Sequence, residues 1–258
     1  TPGLPMATGL KIDEFLKVGW KTAENADKEQ YYAGPLLRSV ESIKSGITCV
    51  VDHCYPFHKP GLDDQSLRAF DEVGIRGILA RGIMTIGYEP ICEMKEEAFK
   101  RCIDLIEKHQ EEKWRIMVAP VSFRQSTPDD FREAREVADR YKVRLYTHVS
   151  ETPQEVQGIK DKYGKAPIAF LHELGFSGLD VILVHVVYPT DEEIKLLRDT
   201  NTKVVDCPSN HMMLAKGVTP VPKMLSAGVT VALGTDSVGD MFTEMRNEIL
   251  HQYIHHLD

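Results

Sequence analysis

Seven short, apolar, β-branched runs, each followed by a stretch with helical patterning, set the tightest limit on what this chain can fold into. They are ITCVVD, IRGILARGIM, RIMVAPVSF, VRLYTH, VILVHVV, TKVVDC and VTVALGTD. The runs are mostly continuous in apolar character rather than alternating, as strands of a parallel sheet covered on both faces are. The segments between them carry helix start signals. Thr127-Pro128-Asp129-Asp130, Thr152-Pro153-Gln154-Glu155 and Thr190-Asp191-Glu192-Glu193 each supply an N-cap hydroxyl with an acidic residue three positions on. Such alternation suits a doubly wound sheet or a barrel. No G-x-G-x-x-G or Walker turn follows any run, so the phosphate-binding signs of a doubly wound nucleotide fold are missing. The expectation is an α/β chain folded as a (β/α)8 TIM-type barrel with one strand unrecognised. No linker or low-complexity segment divides it, which predicts a single domain over residues 1–258.

Composition removes several function classes. With 31 Lys plus Arg against 39 Asp plus Glu, the chain repels polyanions, and nucleic acid is not an expected partner. No apolar stretch has the length of a bilayer span, and TPGLPMATGL lacks the basic and apolar regions of a secretory signal. A cytoplasmic address and no membrane partner are expected. Cys49, Cys54, Cys92, Cys102 and Cys207 are an odd number without a C-x-x-C pair. Neither a disulfide framework nor a thiolate zinc site is therefore expected, and the thiols read mostly as core.

Chemistry is carried by the strand ends, where loops of a parallel α/β fold converge on one face. The ends offer Asp52 and His53, His148 with Glu151, His185, Asp206 with Cys207, and Asp236. His148 and Glu151 could ligate a metal and shuttle protons; singly, they also read as a core histidine and a helix-capping glutamate. His185 ends an apolar run, where an imidazole needs a partner. Asp236 is either an N-cap for the last helix or a functional carboxylate. The conjunction of polar groups at three strand ends favours function. His211 could touch a ligand or be solvated, and His251 and His255 share a face of a terminal helix.

THVSET, VHVVYPTDEE, DCPSN followed by MMLAKGVTPV, and GVTVALGTDS, in that order, resemble the amidohydrolase superfamily. The nearest branch is the cytosine-deaminase-like group with guanine, S-adenosylhomocysteine and triazine aminohydrolases and chlorohydrolases. The resemblance implies hydrolytic deamination of a nitrogen heterocycle, a purine, pterin, pyrimidine or triazine, by hydroxide presented by one divalent ion, zinc or else iron. It implies His148 as a metal ligand and Glu151 as proton shuttle. His185 would ligate or polarise the substrate, and Asp236 would bind the metal and take a proton from its water. Arg81, Ser122 and His211 are candidate substrate contacts. Hydrolysis of a cyclic amide or a carbon-halogen bond is the neighbouring alternative; a catalytically inactive barrel that binds a small molecule is the alternative of another class. The expected partner is a small heterocycle, with self-association open. Three departures stand out. The family's H-x-H pair near Leu4 and Pro5 is absent between flanks that resemble the family's, which suggests residues missing there. The loop between Asp236 and DMFTEMR is shorter than usual, and the family's β-sandwich has no counterpart. A histidine common after the fourth-strand proline is Val121 here.

Overall fold

The computed structural model of the protein describes residues 9–236 and 239–255. The chain divides into two compact units that meet in sequence between Tyr146 and Thr147. The first unit opens with helices α1 (Ile12–Glu24) and α2 (Lys28–Lys44) and continues as strand and helix in turn. These are β1 (Cys49–Cys54), α3 (Gln65–Val73), β2 (Arg76–Ile83), α4 (Lys95–Lys108), β3 (Ile116–Pro120), α5 (Pro128–Tyr141) and β4 (Arg144–Val149). Its strands pair parallel to their sequence neighbours, with Cys49 opposite Arg76, Leu79 opposite Ile116 and Met117 opposite Arg144. Every residue of β3 is buried, as the continuous apolar run required. Phe57, Phe70, Phe99 and Phe131, all at most 2% exposed, form the core with Leu79 and Ile83.

The second unit takes the end of β4 and carries α6 (Pro153–Tyr163), α7 (Pro167–Glu173), β5 (Val181–His185), α8 (Asp191–Thr200), β6 (Lys203–Asp206), α9 (Pro208–Met213), α10 (Val221–Ala227), β7 (Val231–Leu233) and α11 (Met241–His255). Parallel pairing continues, with Leu183 opposite Val204 and Val205 opposite Ala232. Phe170, Leu171, Phe176, Leu183, Ile194 and Val204 are buried beneath the helices.

All seven expected strands form, and all three expected threonine caps do. Thr127 and Thr190 each accept from the third helical N–H while Asp130 and Glu193 reach back, closing capping boxes. Thr152 caps α6 by accepting from Glu155 N at 3.2 Å. Seven parallel strands with helices between them are the α/β repeat of the expected barrel, one strand short of eight among the described residues. The flanks of the expected H-x-H pair near Leu4 and Pro5 lie outside the described residues, as do Ser237 and Val238 of the shortened loop.

Candidate active site

The polar strand ends of the second unit come together, and the local backbone explains how. β5 stops at His185 because His185 and Val186 take left-handed φ values of 75° and 49°, which no extended strand holds. Ser150 (φ 57°) does the same after β4, and Asp236 (φ 41°) after β7. Lys142 and Asn201 share this conformation, but they terminate helices, where it is ordinary. Strain of about 1–3 kcal/mol per residue persists only where the surroundings fix it. Here it sits at three strand ends.

Glu151 is buried, 6% exposed, and has no capping duty. Thr152 is the cap of α6, and Glu155 accepts from the backbone N–H groups of Ser150 and Glu151 at 3.2 and 3.0 Å. The Glu151 carboxylate faces inward instead, with Oε1 2.8 Å from His185 Nε2 and 3.0 Å from Lys216 Nζ. With Nε2–H donating to that carboxylate, His185 Nδ1 is an acceptor. It lies 2.9 Å from His211 Nε2, which supplies the proton. His211 Nδ1 in turn lies 3.3 Å from Asp206 Oδ1 and 3.4 Å from Thr219 Oγ1. Burial, and after it the neighbouring His185 and Lys216, lower the His211 imidazole well below its usual range. Burial also raises Asp206 to about 8, with the Thr219 hydroxyl opposing and Glu248 adding. Donation thus runs in one direction from His211 through His185 to Glu151.

His148 stacks on His185, ring centroids 5.2 Å apart and planes inclined by 23°. Asp236 is exposed, and the helix cap it was a candidate for is Asp240, whose Oδ1 accepts from Phe242 N at 3.0 Å. One donor atom each of His185, Cys207 and Asp236 lie within 4.8 Å of one another. Burial, with the Asp236 and Asp206 carboxylates adding, pushes the Cys207 thiol well above its ordinary range.

Two expected substrate contacts, Arg81 and Ser122, lie in the first unit and are engaged there by neighbouring groups. Arg81 is fully buried in the first unit, its guanidinium 2.7 Å from Glu93 Oε1 and 3.0 Å from Asp63 Oδ1 and stacked over Phe57. Those carboxylates and the Gly82 carbonyl occupy its terminal nitrogens, so it is a core ion pair. Ser122, also in the first unit, donates to Gln125 Oε1 and accepts from Arg124 N at 3.1 Å, which builds a turn. His211 is 1% exposed and contacts His185. Asp52 accepts from Ser66 at 2.6 Å, and His53 packs edge-on to Tyr55 and Tyr146; both lie within β1. The missed residue is Lys216, 2% exposed. Its turn is pinned by Tyr188, whose hydroxyl donates to Lys216 O at 2.6 Å. A Cβ on Gly217 would lie 2.3 Å from that hydroxyl. The only sequence signal was a lysine inside the otherwise apolar MMLAKGV.

The sequence profile of the amidohydrolase family matches residues 5–258. The chain is 33% identical to a 5'-deoxyadenosine deaminase of Methanopyrus kandleri, over 93% of this chain and 55% of that protein. It is 34% identical to a 5-methylthioadenosine/S-adenosylhomocysteine deaminase of Thermococcus sibiricus, over 98% of this chain and 60% of that protein. It thus spans a little over half the length of these relatives. An adenosine deaminase from Xanthomonas campestris, solved with bound zinc, superposes with a TM-score of 0.88 at 25% identity, covering 98% of this chain and 58% of that one. An atrazine chlorohydrolase from Arthrobacter aurescens TC1 superposes equally well, TM-score 0.88 at 24% identity over 96% of this chain and 60% of that one. The fold is that of the TIM-type barrel these structures share.

Proposed function

This chain belongs to the amidohydrolase family, and from that premise we propose that it takes part in hydrolytic removal of an amino group from a nitrogen heterocycle, with 5'-substituted adenosines as the substrate class. The named activities of its relatives support the nucleoside. The arrangement around Glu151 supports the proton handling.

A divalent cation is the cofactor of this reading, zinc by its chemistry, with iron the alternative. The donor set fits: the His148 imidazole and the Asp236 carboxylate are ligands zinc takes, and Asp236 sits on left-handed backbone at the end of β7. When bound, such an ion acts as a Lewis acid that brings the pKa of water toward neutrality.

The chain's own residues do the rest. Asp236 accepts the proton of the attacking water. Glu151 passes the protons that the attacking water releases to the ring nitrogen and then to the departing amine. His185 donates from Nε2 toward the oxygen on which charge develops, aimed by His211 through Nδ1. Lys216 holds the Glu151 carboxylate in place.

The observation that carries the reading is Glu151, a buried carboxylate released from helix capping and turned onto His185. The test is ammonia release by the zinc-loaded 258-residue chain from 5'-deoxyadenosine, methylthioadenosine, guanine, a pterin and a triazine. Turnover is expected on the adenosines. Glu151→Gln should lower it about 10²–10⁴-fold with substrate binding retained. Full turnover in that variant removes the shuttle role, and chloride release from a chlorotriazine without ammonia from any nucleoside overturns the reaction class.

A further inference from the structure

We propose that the outward face of α11 is a self-association surface, on which two copies of this chain pair antiparallel about a twofold axis. The surface belongs wholly to the second unit and does not depend on the cation or the chemistry proposed above.

Helix α11 is turned inside out. A surface helix ordinarily buries its apolar stripe and shows its polar side to water. This one packs on α9 and β7 through polar side chains. Glu244, fully buried, accepts from Ser209 N at 3.0 Å, and Asn247 Nδ2 donates to Ser209 Oγ at 2.8 Å. Buried Gln252 donates to Thr219 O at 2.8 Å. These bonds fix the rotation of the helix about its axis, so its apolar side stays outward. That side carries Phe242, Met245, Ile249, Leu250 and Tyr253, each 50–69% exposed, with exposed Arg246 among them.

The spacing of the stripe names its occupant. Counting Phe242 as i, the six side chains fall at i, i+3, i+4, i+7, i+8 and i+11, one continuous face at 3.6 residues per turn. That set reads the same from either end. An antiparallel copy therefore lays Tyr253 against Phe242, Leu250 against Met245 and Ile249 against Arg246, and the twofold repeats each pair. Such a contact is isologous and closes at two copies. Aromatic residues, Met and Arg are enriched in interface cores and Lys, Asp and Glu depleted; the stripe contains the first set and none of the second.

The area is of the right size. For side chains of these kinds the exposures amount to roughly 600 Å² per copy, near the ~800 Å² per partner of a standard interface and at the upper end of what a monomer leaves in one apolar patch. A lipid surface fits less well. Helices that lie on membranes line their polar side with Lys and Arg, whereas α11 holds a single Arg and no Lys.

Sedimentation equilibrium of the full 258-residue chain tests this. The mass of two chains is expected, with a dissociation constant in the micromolar range or tighter. Met245→Lys and Leu250→Glu should each keep the far-ultraviolet circular dichroism and weaken association about 30–100-fold. The variant carrying both should dimerise again, because antiparallel pairing sets each new Lys opposite the new Glu of the second copy. Within one copy the two positions are five residues apart and do not meet on a helix. A chain that stays monomeric up to its solubility limit overturns the proposal and leaves the face to another occupant. Monomers that co-sediment with phosphatidylglycerol vesicles overturn it in favour of a membrane. A dimer that neither single substitution weakens forms elsewhere and overturns it, as does a double variant no tighter than the singles. Should the charged variants fail to fold, hydrogen exchange of wild type decides: amides of α11 should gain protection as concentration rises, and unchanged protection overturns the proposal.

Discussion

Asp206 shows how a single side chain couples the site to stability. Its carboxyl is raised from 3.8 to about 8 by burial, so the folded state holds a proton that the unfolded state releases above about pH 4. Its contribution is complete below the unfolded value and is lost as pH rises through the folded value, so between pH 4 and 8 stability falls with rising pH. In chelator-treated protein Asp206→Asn should flatten that slope, measured by urea unfolding at successive pH values. Lys216→Met removes the ammonium partner of the buried Glu151 carboxylate. The expected cost is about 3 kcal/mol by urea unfolding at neutral pH. Glu151 and His185 were legible because polar groups that end apolar runs need partners. Lys216 was not, since what buries it is a contact between Tyr188 and the turn at Gly217, which no local pattern encodes. Arg81 lies at the end of an apolar run, and its ion pairs with Asp63 and Glu93, distant in sequence, are not encoded in any local pattern.

Among the elements, strand positions were legible and strand ends were not. Continuous apolar character marks all seven strands, yet VILVHVV leaves the sheet at His185, where the backbone turns left-handed. IRGILARGIM stops at Ile83 and RIMVAPVSF at Pro120, although the apolar character of both runs continues into buried Met84 and Val121. Burial sustains the hydrophobic pattern beyond the last ladder bond, so composition overstates strand length. Helix starts were sharper, because a capping hydroxyl is a one-residue signal. Thr152→Ala should cost about 1 kcal/mol, read from thermal or urea melts. The same variant frees the first turn of α6, which carries the Glu155 carboxylate that holds Ser150 and Glu151.

For the molecule as a whole, the class of fold was legible from alternation, and the family from four dispersed motifs. The expected H-x-H flanks lie outside the described residues. No helix among the described residues is long and apolar enough to cross a membrane. A ligand that binds only the folded state stabilises it, so zinc at a hundredfold its dissociation constant should add about 2.7 kcal/mol, visible as a higher melting temperature. The left-handed backbone at Ser150, His185, Val186 and Asp236 has a further consequence for anyone redesigning this chain. Ser150 is buried, and its hydroxyl has no hydrogen-bond partner among the described residues. Ser150→Gly should therefore add about 1 kcal/mol of stability net of glycine's entropy, read as a higher melting temperature, while slowing the proposed turnover as the neighbouring Glu151 loses its fixed aim. Heat resistance and chemical competence pull this corner in opposite directions, so a search that scores variants by thermostability alone will drift away from a working enzyme.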